Sequence, residues 1–205
     1  MRPYDHIAEK WHSRGRGQDY VARVLSYVDK VLADIPAGAK ILDLGCGTGE
    51  PVAAHVVQRG YKLVGIDESA EMLKIAKTAI PEAEFVQGDM VYIHFAGSFA
   101  AVIAWDSLFH VERKYHAGVF SQIHNLLDRG GKLLLSVGGS DSRVSSINSR
   151  GDGFTSDMYG HQFFYSAHAP EVTRSLLESA GFYIELWEVD DPSSRGHLAV
   201  IASKV

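Results

Sequence analysis

Ile41-Leu42-Asp43-Leu44-Gly45-Cys46-Gly47-Thr48-Gly49 is the stretch on which the reading of this chain turns. It reads as a buried strand, a glycine turn, and then a helix opened by Glu50-Pro51. Proline suits the first helical position, where its missing N–H would have had no partner anyway. The three alternate glycines let the backbone turn sharply and let a ligand come close, where a Cβ would collide. Asp43, two residues before the first glycine, selects that ligand. A dinucleotide's pyrophosphate rests on backbone N–H groups at a helix N-terminus. An acid at the strand end repels it and suits a ligand carrying an ammonium group instead.

A second acid follows. Tyr61 to Ile66 reads as the next strand and ends on Asp67, about 20 residues after the turn. At that spacing an acid bonds ribose hydroxyls in nucleotide-binding βαβ units. The glycine pattern is GxGxG rather than GxGxxG, and Glu50 stands where the dehydrogenase fingerprint would continue. A glycine turn alone is weak evidence. Asp43, the turn and Asp67 together are stronger.

The rest of the chain sets bounds. Its 205 residues suffice for one domain with a full core. Lys+Arg 20 against Asp+Glu 25 leave a net charge of −5, and no basic run marks a nucleic-acid surface. A lone cysteine, Cys46, excludes an intrachain disulfide and a cysteine-rich zinc site. The ten histidines show no HxH or HExxH spacing, so no metal is expected. No apolar signal core opens the chain and no apolar run reaches membrane-spanning length, so the expectation is a cytoplasmic protein without a membrane partner.

Apolar residues from Tyr20 to Ile35 recur at helical spacing, and Pro36 with Gly38 closes that helix. Beyond it strands are predicted near 40–45, 62–66, 83–87, 99–104 and 132–137. Helices fall near 50–59, 69–79, 113–127 and 168–180. Such alternation predicts a single α/β domain with a Rossmann-like, doubly wound, mostly parallel sheet. Residues 182–189 and 197–203 read as a C-terminal antiparallel hairpin. Four parts are expected: an N-terminal cap segment and helix (1–38), a cofactor-binding core (39–138), a lid or substrate loop (139–160), and the C-terminal helix and hairpin (161–205). The loop rests on length, since structureless connections beyond about 12–15 residues are usually functional or disordered. The first 16 residues show no clear period.

With these residues in place, the chain resembles the class I S-adenosylmethionine-dependent methyltransferases. The resemblance continues through Gln87-Gly88-Asp89-Met90, similar to the family's adenine-binding turn. It runs on through Phe99 to Val111, similar to its fourth strand and methyl-facing loop, and through Asp128 to Leu135, similar to its turn into strand five. Ser107-Leu108-Phe109-His110 and Phe163-Phe164-Tyr165-Ser166 narrow it to a bacterial small-molecule-type branch. It implies S-adenosylmethionine as cofactor, with Asp43, Gly45, Cys46, Gly47, Asp67, Glu68, Asp89, Met90, Ala104 and Trp105 around it. It also implies insertion of the last strand antiparallel beside strand five.

The acceptor side is less legible. His110, after the fourth strand, is a candidate base, because a neutral imidazole there can take the proton of an oxygen or nitrogen nucleophile. The plain alternative is a histidine that orients the loop. Asp106, His161, Tyr165 and Tyr4 are candidate acceptor contacts; Asp106 is also a candidate cap for the helix from 113. Cys46 reads as a small filler rather than a nucleophile. No Asp/Asn-Pro-Pro-Tyr/Phe tetrapeptide, multi-cysteine set or paired-glutamate loop is present. The expected acceptor is therefore a small molecule methylated on oxygen or nitrogen, the expected state a monomer or homodimer. Two other readings stay open: a non-catalytic binder of S-adenosylmethionine or S-adenosylhomocysteine, and an NAD-dependent oxidoreductase.

Overall fold

The computed structural model describes residues 2–138, 153–191 and 197–205. Nine strands and six helices are found among them. Strands β1 (Lys40–Leu44), β2 (Lys62–Asp67), β3 (Glu84–Gln87), β4 (Phe99–Ala104) and β5 (Leu127–Val137) pair in parallel. Strands β8 (Phe182–Asp191) and β9 (His197–Lys204) complete the sheet, in the order β3-β2-β1-β4-β5-β9-β8. β9 lies antiparallel between β5 and β8. The doubly wound sheet and its C-terminal hairpin are thus as the alternation and the resemblance implied.

Each strand feeds both faces of the sheet because side chains alternate along it. Ile41, Ile103 and Leu134 face one core, while Leu42, Val102 and Leu133 face the other. The first core is closed by α2 (Gln18–Leu32), α3 (Val52–Gln58) and α4 (Ala70–Ala79), through Val28, Val56 and Leu73. The second is closed by α5 (Arg113–Leu126) and by a final helix, α6 (Pro170–Ser179), through Phe120 and Leu177. Strand order reverses between β1 and β4. Ligands of open α/β sheets bind at that switch point, beyond the strands' carboxyl ends.

Several local readings are corrected. Pro51 is the N-cap residue, and α3 starts one residue later at Val52. Helix α2 stops at Leu32, three residues short of the reach of its apolar period. β5 starts at Leu127, because Leu127 already pairs with Phe99. The N-terminal residues without a period form a 3₁₀ turn, Pro3–His6, and a short helix α1, Ala8–Arg14. Of the expected 139–160 loop, residues 139–152 lie outside the described residues, as do 192–196 of the hairpin turn. The described remainder supplies one strand of a second small sheet, whose other strand lies just beyond it. Strand β6 (Phe154–Met158) pairs antiparallel with β7 (His161–Tyr165), joined through Tyr159 and Gly160.

Candidate functional site

The glycine turn after β1 is tied down by β2. The N–H groups of Gly45 and Cys46 both donate to the Ile66 carbonyl, at 2.8 and 3.1 Å. Gly45 has a φ of +76°, and a Cβ there would stand 2.3 Å from the Ser107 Cβ. Only glycine fits. Ser107 in turn donates its hydroxyl to the Leu44 carbonyl at 2.7 Å, locking the loop after β4 against the end of β1.

Asp67 ends β2, and its two carboxylate oxygens divide their work. One accepts the Gly47 N–H and the other the Ser69 N–H, each at 2.9 Å. Asp67 therefore orders both the glycine turn and the entry to α4. Its pKa is raised by burial, against those two backbone bonds. Ser69 is the N-cap residue of α4 and accepts the Met72 N–H. Asp43 is 3% exposed and accepts no hydrogen bond among the described residues. Burial, and then the nearby Asp67 charge, lift its pKa to about 7.

Gly45, Gly47, Asp43 and Asp67 line a cavity of about 350 Å³, together with Gly88, Met90, Glu68 and Met72. Tyr4, Trp11, Arg16, Tyr20, Trp105, Asp106, His110 and Phe163 line the same cavity. His110 donates from Nδ1 to the Phe164 carbonyl at 2.8 Å, since a carbonyl can only accept. Its Nε2 is then a lone pair, 2.9 Å from the Tyr4 hydroxyl that donates to it. Asp106, at φ 51°, accepts the Tyr20 hydroxyl at 2.6 Å and lies 3.1 Å from His197 Nε2.

Residues 41–131 match a family model described as a methyltransferase domain. Over that stretch the chain is similar to methyltransferase domains. Over 90 residues it is 33% identical to a dTDP-3-amino-3,4,6-trideoxy-alpha-D-glucopyranose N,N-dimethyltransferase of Streptomyces venezuelae, covering 44% of this chain and 38% of that one. Over 105 residues it is 35% identical to the tRNA 5-carboxymethoxyuridine methyltransferase of Escherichia coli, covering 49% and 40%. The match thus spans less than half the length of these curated relatives. The magnesium protoporphyrin IX methyltransferase of Synechocystis, solved with bound S-adenosylhomocysteine, superposes with a TM-score of 0.71 at 20% identity, over 98% and 97% of the two chains. The cyclase SpnF superposes with a TM-score of 0.74 at 19% identity, over 98% and 94%. The fold is that of the S-adenosylmethionine-dependent methyltransferases, and it also hosts an enzyme named as a cyclase.

Around this cavity the expected residues are unevenly gathered. Asp43, Gly45, Gly47, Asp67, Glu68, Met90, Trp105, Asp106, Tyr4 and His110 all line it. Asp89, Cys46, Ala104, His161 and Tyr165 are not among its lining residues. Asp89 caps the turn that follows β3, accepting the Val91 N–H at 2.8 Å. The Cys46 sulfur is packed where a Cβ on Gly65 would meet it at 2.8 Å, and burial with the Asp43 and Asp67 charges holds its thiol protonated. Ala104 is buried at the end of β4. His161 stacks on His6, and Tyr165 stacks between Phe109 and Phe154. Asp106 does not cap α5, whose N-cap residue is Glu112.

Behind Asp106 the chain holds a charged relay that sequence reading missed. His197 Nδ1 lies 3.0 Å from Asp190, and the Arg23 guanidinium lies 3.6 Å from the other Asp190 oxygen. Burial opposes charge on His197, but its hydrogen bonds to Asp106 and Asp190 outweigh it and raise the pKa to about 9. Asp106 is held below the usual carboxylate range, its burial outweighed by His197 and Tyr20. Trp11 and Arg16 were also missed. With Tyr20 they straddle two helices and the turn between, so no single period connects them. Among the described residues no three of His, Cys, Asp and Glu gather as metal ligands do. No described helix is long and apolar enough to cross a membrane.

Proposed function

We propose that the chain transfers the methyl group of S-adenosylmethionine to an oxygen or nitrogen of a small molecule. The observation that carries this reading is a shared cavity. Both the tight glycine turn with Asp43 and Asp67, which makes its cofactor side in this reading, and the neutral Tyr4–His110 pair, which makes its acceptor side, line it.

The residues on the first side fit the cofactor. Asp43 is a buried acid with no partner of its own, suited to the ammonium group of an amino-acid end. Asp67 keeps lone pairs for ribose hydroxyls beyond its two backbone bonds. Glu68, Gly88 and Met90 line the wall beyond it. When bound, S-adenosylmethionine supplies an activated methyl group, and the protein's task is binding and orientation.

On the second side His110 is the proton acceptor. Burial lowers its pKa, which keeps the imidazole neutral at pH 7. Tyr4 remains a phenol, because burial raises its pKa. An acceptor hydroxyl or amine that donates to the Tyr4 oxygen loses its proton to Tyr4 while Tyr4 passes its own to His110 Nε2. The imidazolium so formed stays bonded to the Phe164 carbonyl. Trp11 and Phe163 pack edge-on against Tyr4 at 5.8 and 4.8 Å and hold its ring in place.

Calorimetry with S-adenosylhomocysteine and with NAD, followed by transfer of a labelled methyl group into a small-molecule extract, tests the proposal. Micromolar binding of the sulfur ligand and label in a low-mass product are expected. Tight NAD binding without binding of the sulfur ligand would overturn it. Cofactor binding with no transfer to any extract or panel compound would favour a non-catalytic role, for which SpnF's cyclase name is a reminder that the fold alone does not fix the reaction.

A further inference from the structure

Arg16 lies on the turn between α1 and α2. Its guanidinium sits 4.0 Å over the Trp11 ring and 5.4 Å from the centroid of Tyr20. All three residues line the cavity. A guanidinium stacked on an aromatic face keeps its in-plane N–H donors directed away from the ring, ready for a planar anion. The group is half-buried, and among the described residues it makes no hydrogen bond or ion pair.

Several other charges of the cavity are already matched, and Asp43, which has no match among the described residues, is reserved for the cofactor's ammonium in the reading above. Arg2 pairs with Glu68 at 3.2 Å. Asp106 is compensated by His197 and Tyr20. Asp67 holds two backbone N–H groups. Arg16 feels the Asp106 charge through space but forms no ion pair with it among the described residues, so its N–H donors stay open to an anion in the cavity.

We propose that Arg16 is the carboxylate anchor of the cavity, stacked on Trp11 so that its donors meet an acid group two by two. The proposal rests on the methyltransferase reading above. Two carboxylates qualify, one on the acceptor and one on the cofactor's amino-acid end. Position favours the acceptor. Arg16 stacks on Trp11, Trp11 packs against Tyr4, and Tyr4 bonds His110. An acceptor with an acid at one end and a hydroxyl or amine at the other spans Arg16 and the Tyr4–His110 pair.

The test compares wild type with Arg16→Gln and Arg16→Lys in two arms. In the first, calorimetry measures S-adenosylhomocysteine against 5′-methylthioadenosine, which lacks the amino-acid end. In the second, with S-adenosylhomocysteine saturating, 4-hydroxybenzoate is compared with 4-hydroxybenzyl alcohol by calorimetry. The expected result is that Arg16→Gln keeps the first affinity ratio and loses the benzoate's preference by about tenfold or more, the scale of a charge-assisted bidentate pair. Arg16→Lys should restore only part of it. A fall in the first ratio instead assigns the same anchor to the cofactor. Unchanged preferences in both arms, or no carboxylate preference in wild type, overturn the proposal. Failure of wild type to bind S-adenosylhomocysteine at all overturns the methyltransferase reading beneath it.

Discussion

On one side of the cavity Gly45, Gly47, Asp67 and Gly88 come from the ends of three neighbouring strands, in chain order. On the other side Tyr4, Arg16, His110 and Phe163 come from the N-terminal turn, the link between two helices, the loop after β4 and the β6–β7 hairpin. The first side works through strand ends: amides, carbonyls, positions where no Cβ fits, and the two acids Asp43 and Asp67 that the strands carry. The second works through side chains: rings, one imidazole and one guanidinium. A strand-end site is inherited with the sheet that makes it. A side-chain site has to be assembled from segments that the sheet does not order.

The largest expected effect breaks the second side alone. His110→Ala should lower kcat on the true acceptor by about 10²–10⁴-fold, the usual contribution of a general base. The Kd for S-adenosylhomocysteine should hardly move, because no residue of the glycine turn touches the imidazole. Tyr4→Phe removes the relay hydroxyl but leaves Nε2 open to the acceptor, so its loss should be smaller. Burial depresses the His110 pKa, and the base works when neutral. The acid limb of the kcat profile should therefore fall below pH 6.5, the ordinary histidine value, and vanish in His110→Ala. Near-normal turnover in that variant would remove the base from the mechanism and leave the cofactor side intact.

Gly45→Ala is the corresponding break on the strand-end side. A Cβ there would lie 2.3 Å from the Ser107 Cβ at a φ of +76°. Overpacking and left-handed strain together should cost about 2–4 kcal/mol of folding stability. Urea unfolding measures that, and binding of S-adenosylhomocysteine should be lost with it. A variant as stable as wild type would mean that the loop after β4 yields easily, and that the two sides are less firmly joined than Ser107 suggests.

The difference between the sides also explains what the sequence revealed. Glycines, strand-end acids and alternating apolar runs are local signals, so Asp43, the turn, Asp67 and the alternation of strands and helices could be read directly. His110 was legible only because it follows a strand whose end was known. Trp11 and Arg16 gave no period because their partners are on different elements. His197 stood alone in the chain and meets Asp106 only when β9 inserts beside β5. β6 falls inside the expected 139–160 loop because Phe154 to Met158 mixes Thr, Ser and Asp with no sustained apolar alternation. Asp89 carries a local role besides the one its motif pointed to: one carboxylate oxygen caps the Val91 N–H, and the other stays open among the described residues.

Asp67→Asn gives a smaller and more mixed effect, and it sharpens the idea that one acid serves both fold and ligand. An amide offers one acceptor oxygen where the carboxylate offers two, so either the Gly47 or the Ser69 N–H loses its partner. Affinity for S-adenosylhomocysteine should drop by about 1.5–3 kcal/mol, the scale of hydrogen bonds to a charged group. A modest fall in stability should accompany it, seen as an earlier urea midpoint. If stability falls while affinity is unchanged, Asp67 only orders the turn and the ribose contact is wrong.

The smallest effect concerns the proton on Asp43. Burial and the Asp67 charge lift its pKa to about 7, so the ligand-free carboxyl is partly protonated near neutral pH. An ammonium group placed beside it favours the carboxylate and pulls that pKa down. Binding then expels a proton whenever the empty site holds one. The sign follows from linkage: below about pH 7, each unit of acidification should weaken S-adenosylhomocysteine by up to tenfold, with a plateau above it. Calorimetry at about pH 6, in two buffers of different ionisation enthalpy, should report release of up to about one proton per ligand. Asp43→Asn should abolish both the release and the slope, and should bind more weakly at pH 7.5 because the counter-charge is gone. A flat affinity across this range in wild type would show that the ammonium lies elsewhere, and that the acid side of the cavity is set by Asp67 alone.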